Sequence, residues 1–349
     1  MNKKLLLLID LLCEKHSLTI SEYEELVRDR DDESYKYLTE KAVAARKQIY
    51  DNKVFIRGLI EISNICKNDC LYCGIRRSNK SCERYRLSSD EILECCDEGY
   101  LLGFRTFVMQ GGEDSYFSDD VMCEIIQRIK VKYPDCAVTL SLGERSFESY
   151  KRLFESGADR YLLRHETADS KHYSLLHPAD MSFKRRMKCL EELRDIGYQV
   201  GCGFMVGSPY QTYENIAKDL KFIEEFKPDM CGIGPFIPHK STPFSDKSAG
   251  TVELTCYLLA IIRLIHPAVL LPATTALGSI EENGREKGIK SGANVVMPNL
   301  SPMSVRKKYE LYNNKASTGA ESAQCMMQLN ERMEAIGYRV VVDRGDIKK

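Results

Sequence analysis

Cys66, Cys70 and Cys73 are spaced C-x3-C-x2-C, and Tyr72 stands directly before the third thiol. Three thiolates at this spacing suit three corners of a [4Fe–4S] cluster. They leave the fourth iron open to a bidentate small molecule, an arrangement made for chemistry and not only for storing an electron. A zinc site is the competing reading, because C-x2-C is also a zinc spacing and Cys82 offers a fourth ligand. Structural zinc modules usually pair two such knuckles, whereas here a single knuckle heads a long α/β chain.

The triplet and its aromatic residue resemble the cysteine motif of the radical S-adenosylmethionine (SAM) superfamily. In that superfamily the methionyl amine and carboxylate of SAM occupy the open iron, and an electron from the cluster cleaves the sulfonium to give a 5′-deoxyadenosyl radical. The resemblance implies a [4Fe–4S] cluster and SAM as cofactors, with Tyr72 near the adenine. Gly111, Gly112 and Glu113 resemble the superfamily's Gly-Gly-Glu segment, whose backbone contacts the methionyl ammonium; glycines permit that approach. Gly203-x-Met205-x-Gly207 resembles the segment in which Met205 would face the adenine.

Other polar residues stand out on their own. Arg164 and Glu166 flank His165, so in an extended segment both side chains point to one face and His165 to the other. Opposite charges at one cavity mouth suit a zwitterion such as SAM, unless they form a purely structural salt bridge. Thr274 and Thr275 bring hydroxyl and N–H donors to a strand end, where a small anion would fit.

The elements that must position these residues alternate in the manner of βα units. Strands are expected at Val54–Ile62, Thr106–Gln110, Ala137–Leu142, Tyr161–Arg164, Val200–Val206, Met230–Ile233, Val269–Leu271 and Asn294–Met297. Helices are expected between them, for instance over Ser89–Leu102, Asp119–Lys132, Phe147–Glu155, Phe183–Ile196, Tyr213–Phe226 and Val252–Ile265, with a short one near Glu281–Lys290. Eight such units predict an α/β (β/α)8 barrel of TIM type, whose active site lies at the C-terminal ends of the strands. Each unusual residue above follows a predicted strand. Residues 1–50 read as a helical N-terminal extension, 51–305 as the barrel and 306–349 as a C-terminal closing segment.

Composition narrows the class further. Lys and Arg number 50 against 51 Asp and Glu, for a net charge of -1, so no electrostatic footprint for nucleic acid or an anionic membrane is present. The leucine run after Lys3 and Lys4 stops at Asp10, too short for a signal peptide. Fourteen cysteines scattered through a long chain without a leader are expected to be reduced thiols in a cytoplasmic protein.

Arg160 to Ala168, Gly232 to His239 with Thr242-Pro243, Pro272 to Ala276 and Val296 to Asn299 closely resemble the HydE family, radical SAM maturases of [FeFe]-hydrogenase. The resemblance runs from about Val54 to Tyr312. It implies action on an organometallic iron–carbonyl–cyanide–cysteine substrate made by a HydG-like maturase, with product passed towards a HydF-like carrier. A low-potential donor such as ferredoxin or flavodoxin would supply electrons. It further implies that Arg164, Glu166 and Arg186 hold SAM, that Gln110 and Ser141 line the cavity, and that Thr274, Thr275, Met297, Tyr309 and Tyr312 sit at the substrate end. Some HydE proteins carry a second cluster near the C-terminus; here the comparable stretch Ala316–Cys325 contains only Cys325, so no second cluster is expected. A methylornithine-synthase-like mutase, a biotin-synthase-like sulfur inserter and a cluster carrier without turnover are the alternatives. Pro238-His239 and Thr274-Thr275 favour HydE.

Changing Cys70 to Ala is expected to remove iron and SAM cleavage together, whereas changing Cys325 should leave iron per chain unchanged; colorimetric iron analysis after anaerobic reconstitution reads both.

Overall fold

A barrel has no sheet edge, so its first and last strands must find each other. In the computed structural model, which describes residues 3–316 and 321–348, they do. Strands β1 (Lys53–Ile56), β2 (Gly58–Ser63), β3 (Thr106–Gly111), β4 (Ala137–Ser141), β5 (Arg160–Leu162), β6 (Gln199–Cys202), β7 (Met205–Val206), β8 (Met230–Cys231), β9 (Gly234–Pro235), β10 (Val295–Val296) and β11 (Arg339–Val341) are all laid down parallel to their neighbours. A six-stranded sheet runs in the order β2-β3-β4-β5-β6-β8. The chain at 269–273 then bridges β8 to β10 through Cys231 N–H to Leu270 O (3.0 Å) and Ala273 N–H to Val295 O (2.9 Å). Finally β1 pairs with β10, and the ring closes.

The expected first strand, Val54–Ile62, is divided at Arg57. Its lower half pairs with β10 and β11 and its upper half with β3, while Arg57 and Leu59 still donate to Val296 and Pro298 of the last strand. The fifth expected strand likewise splits, at Gly203, whose φ of +149 brings the backbone against Gly232. The seventh, Val269–Leu271, contributes isolated bridges only.

Helices cover the outside. Those expected from Asp119, Phe147, Phe183, Tyr213 and Val252 occupy the expected bounds, and Ser88 caps Ser89–Leu101 with the reciprocal Glu91 box. A helix at Ser170–Leu176 was not foreseen, and the short one near Glu281 is two, Thr275–Ile280 and Gly284–Lys290. The N-terminal residues form the expected helical extension as Lys3–Lys15, Ile20–Arg28 and Asp32–Tyr50, with Thr19 and Asp31 as N-caps of the second and third. They pack on Tyr213–Phe226 and Val252–Ile265. The second of these is apolar nearly all round, VELTCYLLAIIRLI, and is buried on nearly every side, as such a helix must be.

Residues after the barrel seal it at both ends. Residues 306–316 cross the C-terminal mouth: Leu311 O accepts from Gly74 N–H (2.8 Å), and Asn313 N–H donates to Pro238 O (3.2 Å). At the opposite mouth β11 lies beside β1, and the tail beyond it inserts under the strands. There the fully buried Arg160 donates to Asp346 Oδ1 (2.5 Å), Arg344 O (2.8 Å) and Thr106 Oγ1 (3.1 Å). Among the described residues no helix is long and apolar enough to cross a membrane.

Partial burial opposes the charge on Asp346, yet Arg160, Gln199 and Arg344 hold its carboxyl well below the usual range. Its folded pKa is therefore below the unfolded one, so its contribution is complete above about pH 5 and is lost as pH falls through the acid range. Asp346→Asn is expected to cost about 1–2 kcal/mol at neutral pH, discounted because Asp346 is partly exposed, and to flatten the acid limb of stability measured by urea unfolding.

Candidate functional site

The three thiols lie in the loop that leaves β2, and β3 is built to hold that loop. Gly112 N–H donates to Ser63 O (3.0 Å), Lys67 N–H to Glu113 O (2.9 Å), and Glu113 N–H points at Cys66 Sγ (3.4 Å). A Cβ on Gly112 would stand 2.2 Å from Ile65 O and 2.8 Å from Cys66 Cβ, so only glycine lets the two segments meet. The Glu113 side chain is a brace: Oε1 accepts from Glu144 N–H (3.0 Å) and Oε2 pairs with Lys67 (3.0 Å). Gly143, at φ +72, makes room for it after β4.

Burial pushes all three thiols up, Cys73 to about 12, with neighbouring thiols adding to the effect at Cys70 and Cys73. Thiolates gathered this way need positive charge close by; Arg84 and Arg186 supply part of it, and ligated iron would supply the rest. Among the described residues no three His, Cys, Asp or Glu side chains converge as a single ion requires. Cys82 instead faces Asn64 Nδ2 (3.4 Å) and the Lys308 carbonyl, so the zinc reading finds no fourth ligand. The donor set fits a cluster held at three corners.

Arg164 and Glu166 face each other at 3.1 Å, Glu166 in a left-handed turn at φ +66. Arg164 Nη2 and Glu166 Oε2 are the paired atoms, without good hydrogen-bond geometry between them, and Arg164 Nε is buried without a hydrogen-bond partner. Arg186 is more committed: its Nε donates to Glu144 Oε1 (2.6 Å) and its Nη1 to Arg164 O (2.7 Å), so it fixes the Arg164 backbone. His165 points away from the cavity, as its alternation predicts, between Asp219 Oδ1 (3.2 Å) and Gly203 N–H (3.2 Å). Burial lowers its pKa to about 3 and keeps it neutral.

An apolar cluster lies beside the thiols. Leu176, Met205, Phe236 and Phe244 pack together with Leu71 and Tyr72 against them, and the Tyr72 hydroxyl meets His177 Nε2 (3.2 Å). Tyr72 and Met205, far apart in sequence, thus belong to one cluster. Its apolar and aromatic side chains are of the kind that pack on a flat heteroaromatic ring.

The opposite wall is polar. Register places Glu61, Gln110 and Ser141 side by side on β2, β3 and β4, all facing inward. Gln110 Nε2 donates to the buried Tyr309 hydroxyl (3.3 Å). Thr274 Oγ1 is buried and unpartnered at the head of Thr275–Ile280. Met297 packs beside Phe55, Met230 and Val295 lower in the barrel. Tyr312 lies in the sealing segment and is surrounded by Ser279, Glu321, Glu61 and Arg164. Glu61 and Lys315, which form a buried ion pair here, were not singled out from the sequence. Glu61 was detectable, as the one acidic residue inside the otherwise apolar half-strand Gly58–Ile62; Lys315 had no signal, because its placement depends on the path of the sealing segment.

Residues 60–223 match the family model of the Radical SAM superfamily. The chain is 43% identical over 304 residues to the [FeFe] hydrogenase maturase subunit HydE of Thermotoga maritima, covering 87% of this chain and 86% of that protein. Among solved structures it resembles methylornithine synthase, PylB, at TM-score 0.84 and 26% identity, covering 96% and 97% of the two chains. It also shares the fold of the [FeFe]-hydrogenase maturase HydG at TM-score 0.81 and 20% identity, covering 97% and 76%.

Gly112→Ala is expected to drive the cluster loop from β3 and at least halve the iron bound on reconstitution while leaving the far-ultraviolet circular dichroism spectrum unchanged.

Proposed function

This chain belongs to the HydE family of [FeFe]-hydrogenase maturases within the radical SAM superfamily, and from that footing we propose that it acts on an iron–carbonyl–cyanide–cysteine precursor during assembly of the hydrogenase di-iron centre. It is a radical SAM enzyme. The observation that carries the reading is the joint placement, beyond the ends of β2 and β5, of three half-buried thiols and the Arg164–Glu166 pair, with an apolar cluster through Tyr72 and Met205 beside the thiols.

Cys66, Cys70 and Cys73 would hold the cluster, which with SAM supplies the 5′-deoxyadenosyl radical. Around it the chain's own residues divide the work. Arg164 binds the methionyl carboxylate and Glu166 the ribose hydroxyls, while Arg186 holds the Arg164 backbone in place from the side of Glu144. Tyr72 and Met205 pack on the adenine, and the Gly111-Gly112-Glu113 backbone meets the methionyl ammonium. Gln110, Ser141, Thr274, Thr275, Met297, Tyr309 and Tyr312 line the substrate end. The sealing segment over the mouth keeps water from the reacting atoms.

One cluster serves the enzyme: in Ala316–Cys325 Cys325 is the sole thiol, and residues 317–320 of that stretch lie outside the described residues. HydG-like and HydF-like maturases are its partners upstream and downstream, and a ferredoxin or flavodoxin its reductant. All fourteen cysteines are free thiols, which suits a reducing cytoplasm.

The test is anaerobic reconstitution, reduction and addition of SAM with the HydG product, followed by electron paramagnetic resonance and product analysis. Transfer of the deoxyadenosyl group to the precursor's sulfur supports the reading; 5′-deoxyadenosine without change in the precursor keeps the radical enzyme and discards the substrate. Arg164→Gln is expected to weaken SAM binding by roughly tenfold or more, from loss of a charged hydrogen bond, with iron content unchanged; titration followed by the cluster's resonance spectrum measures it.

A further inference from the structure

Glu61 lies mid-strand on β2, fully buried, in the same inward layer as Gln110 and Ser141. Its carboxylate accepts from Asn299 Nδ2 (2.9 Å) and pairs with Lys315, whose side chain reaches in from the sealing segment and is only 8% exposed. The Lys315 ammonium stands 5.2 Å over the Tyr309 ring, and Tyr309 is tied to Gln110. Tyr309 thus links the ion pair to the polar layer that Gln110 and Ser141 carry on β3 and β4.

A buried ion pair is a poor device for stability alone, since matched apolar side chains pack as well without the cost of desolvating two charges. Polar atoms nearby are also left open: Thr139 Oγ1, two residues below Ser141 on the same face, and Thr274 Oγ1 are buried without partners. We infer that Glu61 and Lys315 form a second zwitterion-binding site in the cavity, in which Glu61 takes the ammonium and Lys315 the carboxylate of an α-amino-acid group on the substrate. The inference rests on the proposed function above and adds the residues that would grip the cysteinyl part of the substrate.

Charge conservation gives the site its selectivity. Unliganded, Glu61 and Lys315 neutralise each other. A zwitterion exchanges that one contact for two and leaves the cavity neutral, whereas a lone amine or a lone acid leaves one buried charge without a partner. Lys315 also arrives with the sealing segment, so the site is complete only when the mouth is covered.

The probe is S-methyl-L-cysteine, whose blocked sulfur removes thiolate ligation of iron, titrated calorimetrically into reconstituted enzyme with SAM. It is compared with 2-(methylthio)ethylamine, which lacks the carboxylate, and 3-(methylthio)propionate, which lacks the amine. The amino acid is expected to bind at least tenfold more tightly than either. Lys315→Met should erase the preference of the amino acid over the amine, Glu61→Gln its preference over the acid, and Lys315→Arg should retain both. Failure of the amino acid to bind, equal affinity of the wild type for all three probes, or a preference over the amine that survives Lys315→Met would overturn the inference. The wild-type series decides the matter even where a variant does not fold. If wild-type enzyme makes no 5′-deoxyadenosine under reduction, the radical reading fails separately, whatever the probes show.

Discussion

Closure of the barrel is the constraint on which the rest depends. The stretch Val54–Ser63 must satisfy backbone groups on both sides, below through β10 and β11 and above through β3. Unpaired strand edges in a buried position would be too costly to keep. Once the stretch is held on both sides, the loop leaving it at Asn64 has a fixed origin, and the thiols follow within a few residues. The neighbouring strand then supplies the brace, because Gly111 pairs with Ser63 and sets Gly112 against Ile65. A site this far from regular structure is positioned by the most regular part of the molecule.

Charge inside the barrel is arranged in storeys. At the sealed floor Arg160 meets Asp346; in the middle Glu61 meets Lys315; at the mouth Arg164 meets Glu166. The floor pair is wrapped in further hydrogen bonds from Thr106, Gln199 and Arg344, which marks it as architecture. The mouth pair is less fully satisfied, with Arg164 Nε left without a hydrogen-bond partner, and the proposed function makes it the grip on SAM. The same interaction thus has different uses according to how fully its neighbours satisfy it.

Much of this was legible in the sequence, for reasons that differ by element. Strand and helix order followed from alternating apolar periods, and the cysteine spacing identified the cluster loop outright. Arg164 and Glu166 were readable as a pair on either side of a His165 that points away, which the buried His165–Asp219 contact matches, but β5 ends at Leu162 and a left-handed turn at Glu166, not a strand's two-residue period, brings the pair together. What was not legible depended on contacts distant in the chain. The division at Arg57 needs three partner strands, and the seventh strand is reduced to isolated bridges at Leu270 and Pro272, to Met230 on one side and Val295 on the other. The brace role of Glu113 depends on a left-handed Gly143 thirty residues away, and Lys315 enters the cavity only because the sealing segment is pinned at Gly74 and Pro238.

Both mouths are sealed by residues that follow every barrel strand in chain order: 306–316 over the top and 339–348 beneath. During synthesis, all the walls of the cavity therefore emerge before either cover. The order of the sequence thus places enclosure last: the chain up to residue 305 has every wall of the barrel and neither cover.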